Sequence, residues 1–249
     1  PPLLAHAGPC FLQGTPMAAA LPQILAFDVF GTVVDWHGSI QLEMAERYPQ
    51  VDGGAFALAW RKGYQPAMDL VRQGQLGWTR MDALHRRILD GILPQFGLNG
   101  MPEAERAELN RVWHRLAPWP DAVAGLQRLK SRFVITPLSN GNIALLTYMA
   151  KNAGLPWDCV LSAEVFQAYK PDPRAYLGVA DVFGVEPASV MLVAAHHSDL
   201  AAARRCGLQT AYVQRPHEYG ANQPKDVTPQ PDNTYHCRDL LDLADQLGC

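Results

Sequence analysis

Five short apolar runs limit the architectures open to this chain: Ile24–Asp28, Phe133–Ser139, Cys159–Ala163, Val190–Ala195 and Thr210–Gln214. Each has the length of a strand and is mostly apolar rather than alternating, the pattern of a parallel strand buried on both faces. Helical periodicity follows at about 142–153, 173–183 and 199–206. Strands that alternate with helices predict an α/β fold, a doubly wound parallel sheet of the Rossmann-like kind.

The rhythm breaks between the first and second runs. Residues 38–116 show only helical periodicity, with candidate helices at 38–48, 54–73, 78–96 and 102–115 punctuated by Gly53–Gly54, Gly74 and Gly97–Gly100. The expectation is a helical cap over 38–116 inserted into a core made of 21–37 and 117–249. Pro118-Trp119-Pro120-Asp121 marks the return to the core. Residues 1–20 are expected to be a disordered extension, with Met17 read as the natural start. Residues 216–235, rich in Pro, Asn and Asp, read as a surface loop.

Bulk properties exclude some classes. A net charge of −3 gives no footprint for a nucleic-acid partner. No apolar run approaches the roughly 20 residues needed to cross a bilayer, and the N-terminal stretch lacks the basic start of a signal peptide. The five cysteines form neither a C-x-x-C pair nor a zinc-like cluster, and read as reduced thiols of a cytoplasmic protein.

In open α/β sheets ligands bind outside the carboxyl ends of the strands, and polar groups collect at those ends here. Asp28 closes the first run inside Phe27-Asp28-Val29-Phe30-Gly31-Thr32. It is either a nucleophile or a turn residue. Ser139-Asn140-Gly141 closes the second run, as an anion site or a helix cap. Lys170 precedes Pro171, which stiffens its loop, and either holds a carboxylate ionised or is solvated. Asp199 opens the helix after the fourth run, as a cap or as an anchor for Lys170.

The order and spacing of Asp28, Ser139, Lys170 and Asp199 resemble the haloacid dehalogenase superfamily over about residues 22–215. Within it, phosphatases carry a second Asp two residues after the nucleophile, where this chain has Phe30, and commonly paired acids in the fourth motif, where this chain has Asp199 alone. Halide leaves as an anion and needs no proton. The first motif is similar to that of the type II (S)-2-haloacid dehalogenases. That resemblance implies hydrolysis of small 2-haloalkanoic acids to 2-hydroxy acids through an ester on Asp28, without metal or cofactor, in a possible homodimer.

The resemblance also implies residue roles. Trp60-Arg61 looks like the family's Trp-Arg pair, with Arg61 receiving halide alongside Asn140. Ser139 would bind the substrate carboxylate and Thr32 would hydrogen-bond the Asp28 region. Lys170 would contact the nucleophile, Tyr176 falls at an active-site spacing, and Asp199 would position Lys170 and water. The chain departs from the family's Ser-x-Asn before the last Asp, having Ala194 and His196 there. His196 is either a helix-start residue or an imidazole that narrows the pocket or helps activate water. Trp78, Trp113 and Trp119 read as packing residues. Trp36 and His37 sit at the cap hinge, packing there or reaching the site. His6, His85, His114, His217 and His236 read as surface or cap residues, and Arg72 as solvated. A phosphatase or phosphonatase, and a non-catalytic small-acid-binding protein, are the alternatives.

Overall fold

The run Ile24–Phe27 forms β1, buried along its whole length because it has a parallel partner on each side. Val134–Ser139 (β4) pairs on one side and Val190–Ala194 (β6) on the other. Leu161–Ser162 (β5), Gln209–Val213 (β7) and Tyr235–Cys237 (β8) complete a parallel sheet of order β5-β4-β1-β6-β7-β8 in the computed structural model, which describes residues 20–249. Apart from Ala20, the expected extension lies outside the described residues, as do His6 and Cys10.

Side chains of β1 alternate between two hydrophobic clusters, Leu25 and Phe27 in one and Ile24 and Ala26 in the other. This is why the run is continuously apolar. The strands next in sequence leave β1 in opposite directions, so the crevice of the doubly wound sheet opens at its carboxyl end. The third run is shorter than its apolar length suggests. Ser162 caps the helix that begins at Ala163 by accepting a bond from the Glu164 N–H at 3.1 Å, and Pro137 has no N–H to extend the β4–β5 ladder beyond Leu138 and Ser139.

Among the described residues, 36–114 form helices and 3-10 turns. These are α1 (Trp36–Arg47), α2 (Gly53–Lys62), α3 (Tyr64–Arg72), α4 (Met81–Ile92) and α5 (Glu103–Asn110), with 3-10 turns at Leu93–Phe96 and Arg111–His114. The expected helix over 54–73 is two helices joined at Gly63. A side chain there would place its Cβ 2.4 Å from the Ile88 side chain, so α4 crosses too closely for any other residue. A short antiparallel pair, Val34–Asp35 (β2) with Ala117–Pro118 (β3), brings the chain out and back. Trp36, Trp60 and Trp113 are fully buried in the cluster that covers one face of the sheet. Burial of each such side chain contributes about 1.5–3 kcal/mol.

Two sequence readings change here. Arg72 is not simply solvated: its Nη2 donates to the Lys170 carbonyl at 2.7 Å, tying α3 to the core. His85, in α4, is buried rather than on the surface, its ring stacked on Trp113 with centres 4.1 Å apart. Further ties across the same boundary are Asn142 Nδ2 to Asp82 Oδ2 at 2.9 Å and the Tyr169 hydroxyl to the Thr79 carbonyl at 2.5 Å. Cys159, Cys206, Cys237 and Cys249 are unpaired among the described residues.

Candidate active site

Beyond Phe27 the chain extends the sheet by one more bond, from the Asp28 N–H to the Val193 carbonyl at 3.0 Å, and then turns. Gly31, at φ +84°, makes the turn possible. The turn returns Thr32 beneath Asp28. The Thr32 hydroxyl donates to Asp28 Oδ2 at 2.8 Å and accepts from the Ala195 N–H at 2.9 Å, so both its bonding directions are fixed.

The loop after the helix at 163–166 brings Lys170 to the same carboxylate. Its buried Nζ donates to Asp28 Oδ1 at 3.0 Å and to Asp199 Oδ2 at 2.5 Å. Asp199 lies in the first turn of the helix His197–Arg205, and its second oxygen accepts from the Tyr176 hydroxyl at 2.6 Å. Burial pushes the Asp28 carboxyl up, but the Lys170 ammonium and His196 outweigh it and hold it well below the usual carboxylate range. Lys170 is held above its ordinary value: burial opposes the charge, and Asp199 and Asp28 more than offset it. The cluster is therefore an ionised carboxylate beside a charged lysine.

Asn140 accepts from the Lys170 N–H at 2.8 Å through Oδ1, and its Nδ2 points to the Met68 sulfur at 3.4 Å. Ser139 is fully buried and its Oγ accepts from the Gly141 N–H at 3.1 Å. A cavity of about 790 Å³ opens over Asp28, walled among others by Phe30, Arg61, Asn140, Tyr176 and His196. Of the sequence-derived site residues, Asp28, Arg61, Asn140, Lys170, Tyr176, His196 and Asp199 line it; Thr32 and Ser139 stand behind its wall. Phe30 packs edge-on against Trp113, with ring centres 5.6 Å apart, and against Tyr64 at 6.5 Å.

Arg61 comes from α2. Its guanidinium lies 4.2 Å from the centre of the Tyr64 ring and 5.6 Å from that of Trp36. Its Nη1 is buried with no hydrogen-bond partner among the described residues. Buried N–H groups are nearly always paired, so this one is a ready donor to an anion. Its partner Trp60 faces inward and donates to the His85 carbonyl at 2.9 Å.

The sequence reading missed Tyr64 and Tyr219, which line the cavity, and the buried Glu218. Within the expected surface loop, Glu218 is fully buried and its Oε1 meets His196 Nε2 at 2.8 Å, while His196 Nδ1 lies 3.1 Å from Asp28 Oδ2. Trp36, expected at the hinge, donates to the same Glu218 oxygen at 3.3 Å. The strand-end rule that singles out Asp28 applies equally to β7, whose continuation carries Glu218; that was the available signal. Among the described residues no three His, Cys, Asp or Glu side chains are grouped to hold a metal ion, and no helix is long and apolar enough to cross a membrane.

Comparison with known proteins places this arrangement. Residues 22–207 match the haloacid dehalogenase-like hydrolase family. The chain belongs to that family. Among haloacid dehalogenase-like hydrolases it is 31% identical over 208 residues to (S)-2-haloacid dehalogenase 4A of Burkholderia cepacia, covering 78% of this chain and 84% of the relative. A solved defluorinating L-2-haloacid dehalogenase is 44% identical with a TM-score of 0.89, the match covering 94% of this chain and 98% of that one. A second solved L-2-haloacid dehalogenase is 45% identical with a TM-score of 0.86, covering 92% of this chain and all of the other (100%).

Proposed function

We propose that the protein hydrolyses the carbon–halogen bond of small 2-haloalkanoic acids, with Asp28 as nucleophile. The observation that carries this reading is an ionised carboxylate facing a cavity that Arg61 also lines, its buried Nη1 unpaired among the described residues. Similarity to named 2-haloacid dehalogenases supports it. An Asp28 oxygen attacks the carbon bearing the halogen from the side opposite the leaving atom, inverting that carbon and forming an ester. Arg61 and the Asn140 amide receive the halide. Water then attacks the Asp28 carboxyl carbon and frees a 2-hydroxy acid. The covalent route divides one difficult displacement into two easier steps. Phe30 has no proton to give, and a halide leaving group requires none. Helices α2 and α3 cover the site as a cap, keeping water from the developing ion pair. A cytoplasmic homodimer completes the reading.

A single turnover in oxygen-18 water tests it. Label enters Asp28 during the first turnover and is absent from the first product, reaching product only on later turnovers; label in the first product overturns the ester. A halide-release screen across fluoro-, chloro- and bromoacetate and both 2-chloropropionate enantiomers fixes the substrate range, fluoride release being of special interest given the defluorinating relative. Magnesium-dependent release of phosphate from an aryl phosphate, with no halide release, would replace this reading with a phosphatase.

Arg61→Lys is expected to lower kcat/KM by about 10²-fold. A lysine keeps the charge but loses the planar, ring-stacked donor fork. Steady-state halide release measures it. A variant within twofold of wild type removes Arg61 from the halide site.

A further inference from the structure

We propose that His196 is the general base that hydrolyses the Asp28 ester, and that Glu218 is the residue that positions it. The inference rests on the dehalogenase reading and concerns only its second step.

The geometry is a continuous chain from nucleophile to buried acid. His196 Nδ1 lies 3.1 Å from Asp28 Oδ2, and Nε2 lies 2.8 Å from Glu218 Oε1. Both ring nitrogens are therefore committed, one to the reacting carboxylate and one away from it. Glu218 is itself held from two further sides: Trp36 Nε1 donates to Oε1 at 3.3 Å, and Lys225 Nζ donates to Oε2 at 2.6 Å. Lys225 also donates to the Ala195 carbonyl at 2.5 Å, next to His196 in sequence. A side chain on Gly31 would put its Cβ 2.2 Å from Glu218 Oε1, so the glutamate packs directly on the nucleophile's turn. His196 lines the cavity while Glu218 is fully buried. The imidazole can therefore meet water that the glutamate cannot. The resemblance noted above puts asparagine at this position, and an amide cannot take a proton.

The proton balance closes. In the free enzyme His196 carries a proton between two carboxylates. Burial works against that charge, but Glu218 and Asp28 outweigh it and raise its pKa to about 9. Alkylation converts Asp28 to a neutral ester and removes one of those charges, so His196 yields its proton to solvent. The neutral ring, with Nε2–H donated to Glu218, takes a proton at Nδ1 from the attacking water. Hydroxide bonds to the Asp28 carboxyl carbon, the carbon–oxygen bond to the alkoxide breaks, and His196 returns the proton needed to release the hydroxy acid. The ester has become a carboxylic acid, whose proton passes to His196 and restores the starting pair. Overall, haloacid and water give hydroxy acid, halide and one proton.

The charged and titratable groups around the ring are Asp28 and Glu218 in contact, Lys225 behind Glu218, the Lys170–Asp199 pair beyond Asp28, and Arg61 and Tyr219 on the shared cavity wall. Removing Glu218's negative charge favours the neutral ring and moves its titration to lower pH. Removing Lys225's positive charge leaves Glu218 less neutralised and moves the titration to higher pH.

The test is rapid-quench single turnover on chloroacetate with the ester followed by intact-protein mass spectrometry. In His196→Asn and His196→Gln the halide burst persists within about tenfold of wild type while ester decay slows by about 10²–10⁴-fold. The burst doubles as evidence that each variant is folded. In Glu218→Gln the rising pH limb of ester decay shifts to lower pH, and in Lys225→Met it shifts to higher pH. If both His196 variants lose burst and decay in equal measure, or if neither charge change moves the limb, the inference falls. An ester that forms and decays without regard to His196 also overturns it while leaving the dehalogenase reading in place. A wild-type enzyme that forms no ester overturns both.

Discussion

Asp28→Asn is expected to reduce halide release by about 10⁴-fold or more, the scale seen when a covalent nucleophile is removed. An amide nitrogen or oxygen in that position is a far weaker nucleophile than the carboxylate that Lys170 and His196 keep ionised. The surroundings predict a second, separable effect. Because Asp28's pKa is depressed in the folded protein, its ionisation stabilises the fold above its ordinary value of 3.8, and that contribution is lost as pH falls below 3.8. The asparagine variant lacks this contribution, so its stability should decline less steeply than wild type's between about pH 5 and pH 2. Steady-state halide assays read the first effect and denaturant midpoints across that pH range read the second. Turnover within about tenfold of wild type would remove Asp28 from the chemistry whatever the stability data say.

Lys170→Met carries the other large effect, on activity and on stability together. The ammonium sits 3.0 Å from Asp28 and 2.5 Å from Asp199, with its side chain 6% exposed. Taking it away leaves two buried carboxylates facing each other. Removing one partner of a buried pair costs about 3–5 kcal/mol, a large share of the 5–15 kcal/mol that holds a typical domain folded. The penalty should be greatest at neutral pH and shrink under acid conditions, where the stranded carboxylates take up protons; this is the opposite sign from the wild-type acid sensitivity. Activity should fall by about 10³-fold or more, because the nucleophile is then partly protonated and has lost an oriented donor. Thermal melts at pH 7 and pH 5 separate this from a generic packing loss, which would be the same at both. A variant as stable as wild type at pH 7 would mean that the carboxylates are neutralised by something other than Lys170.

The strands, the crevice and most of the site could be read from residue order because each depends on local information. A run such as Val190–Ala194 is apolar because both faces of a parallel strand are covered, and Asp28, Asn140 and Asp199 stand where three such strands end. Features set by a contact far away in sequence stayed hidden. Nothing local at Gly63 tells that Ile88 presses on it and divides one helical pattern into two. Arg72 sits in an ordinary helix end, and its bond to the Lys170 carbonyl spans 98 residues. Glu218 lies in a stretch whose prolines and polar residues have the composition of solvated loop, yet it is the most buried acid at the site because His196 and Lys225 supply its charge partners. Composition reports average exposure, and a single buried ion network is invisible to it.

The bond from Arg72 to the Lys170 carbonyl joins the end of α3 to the peptide whose side chain charges Asp28. A displacement of α3 from the sheet has to break that bond, so the placement of one helix and the bracing of the buried carboxylate are mechanically coupled: neither can shift without the other feeling it.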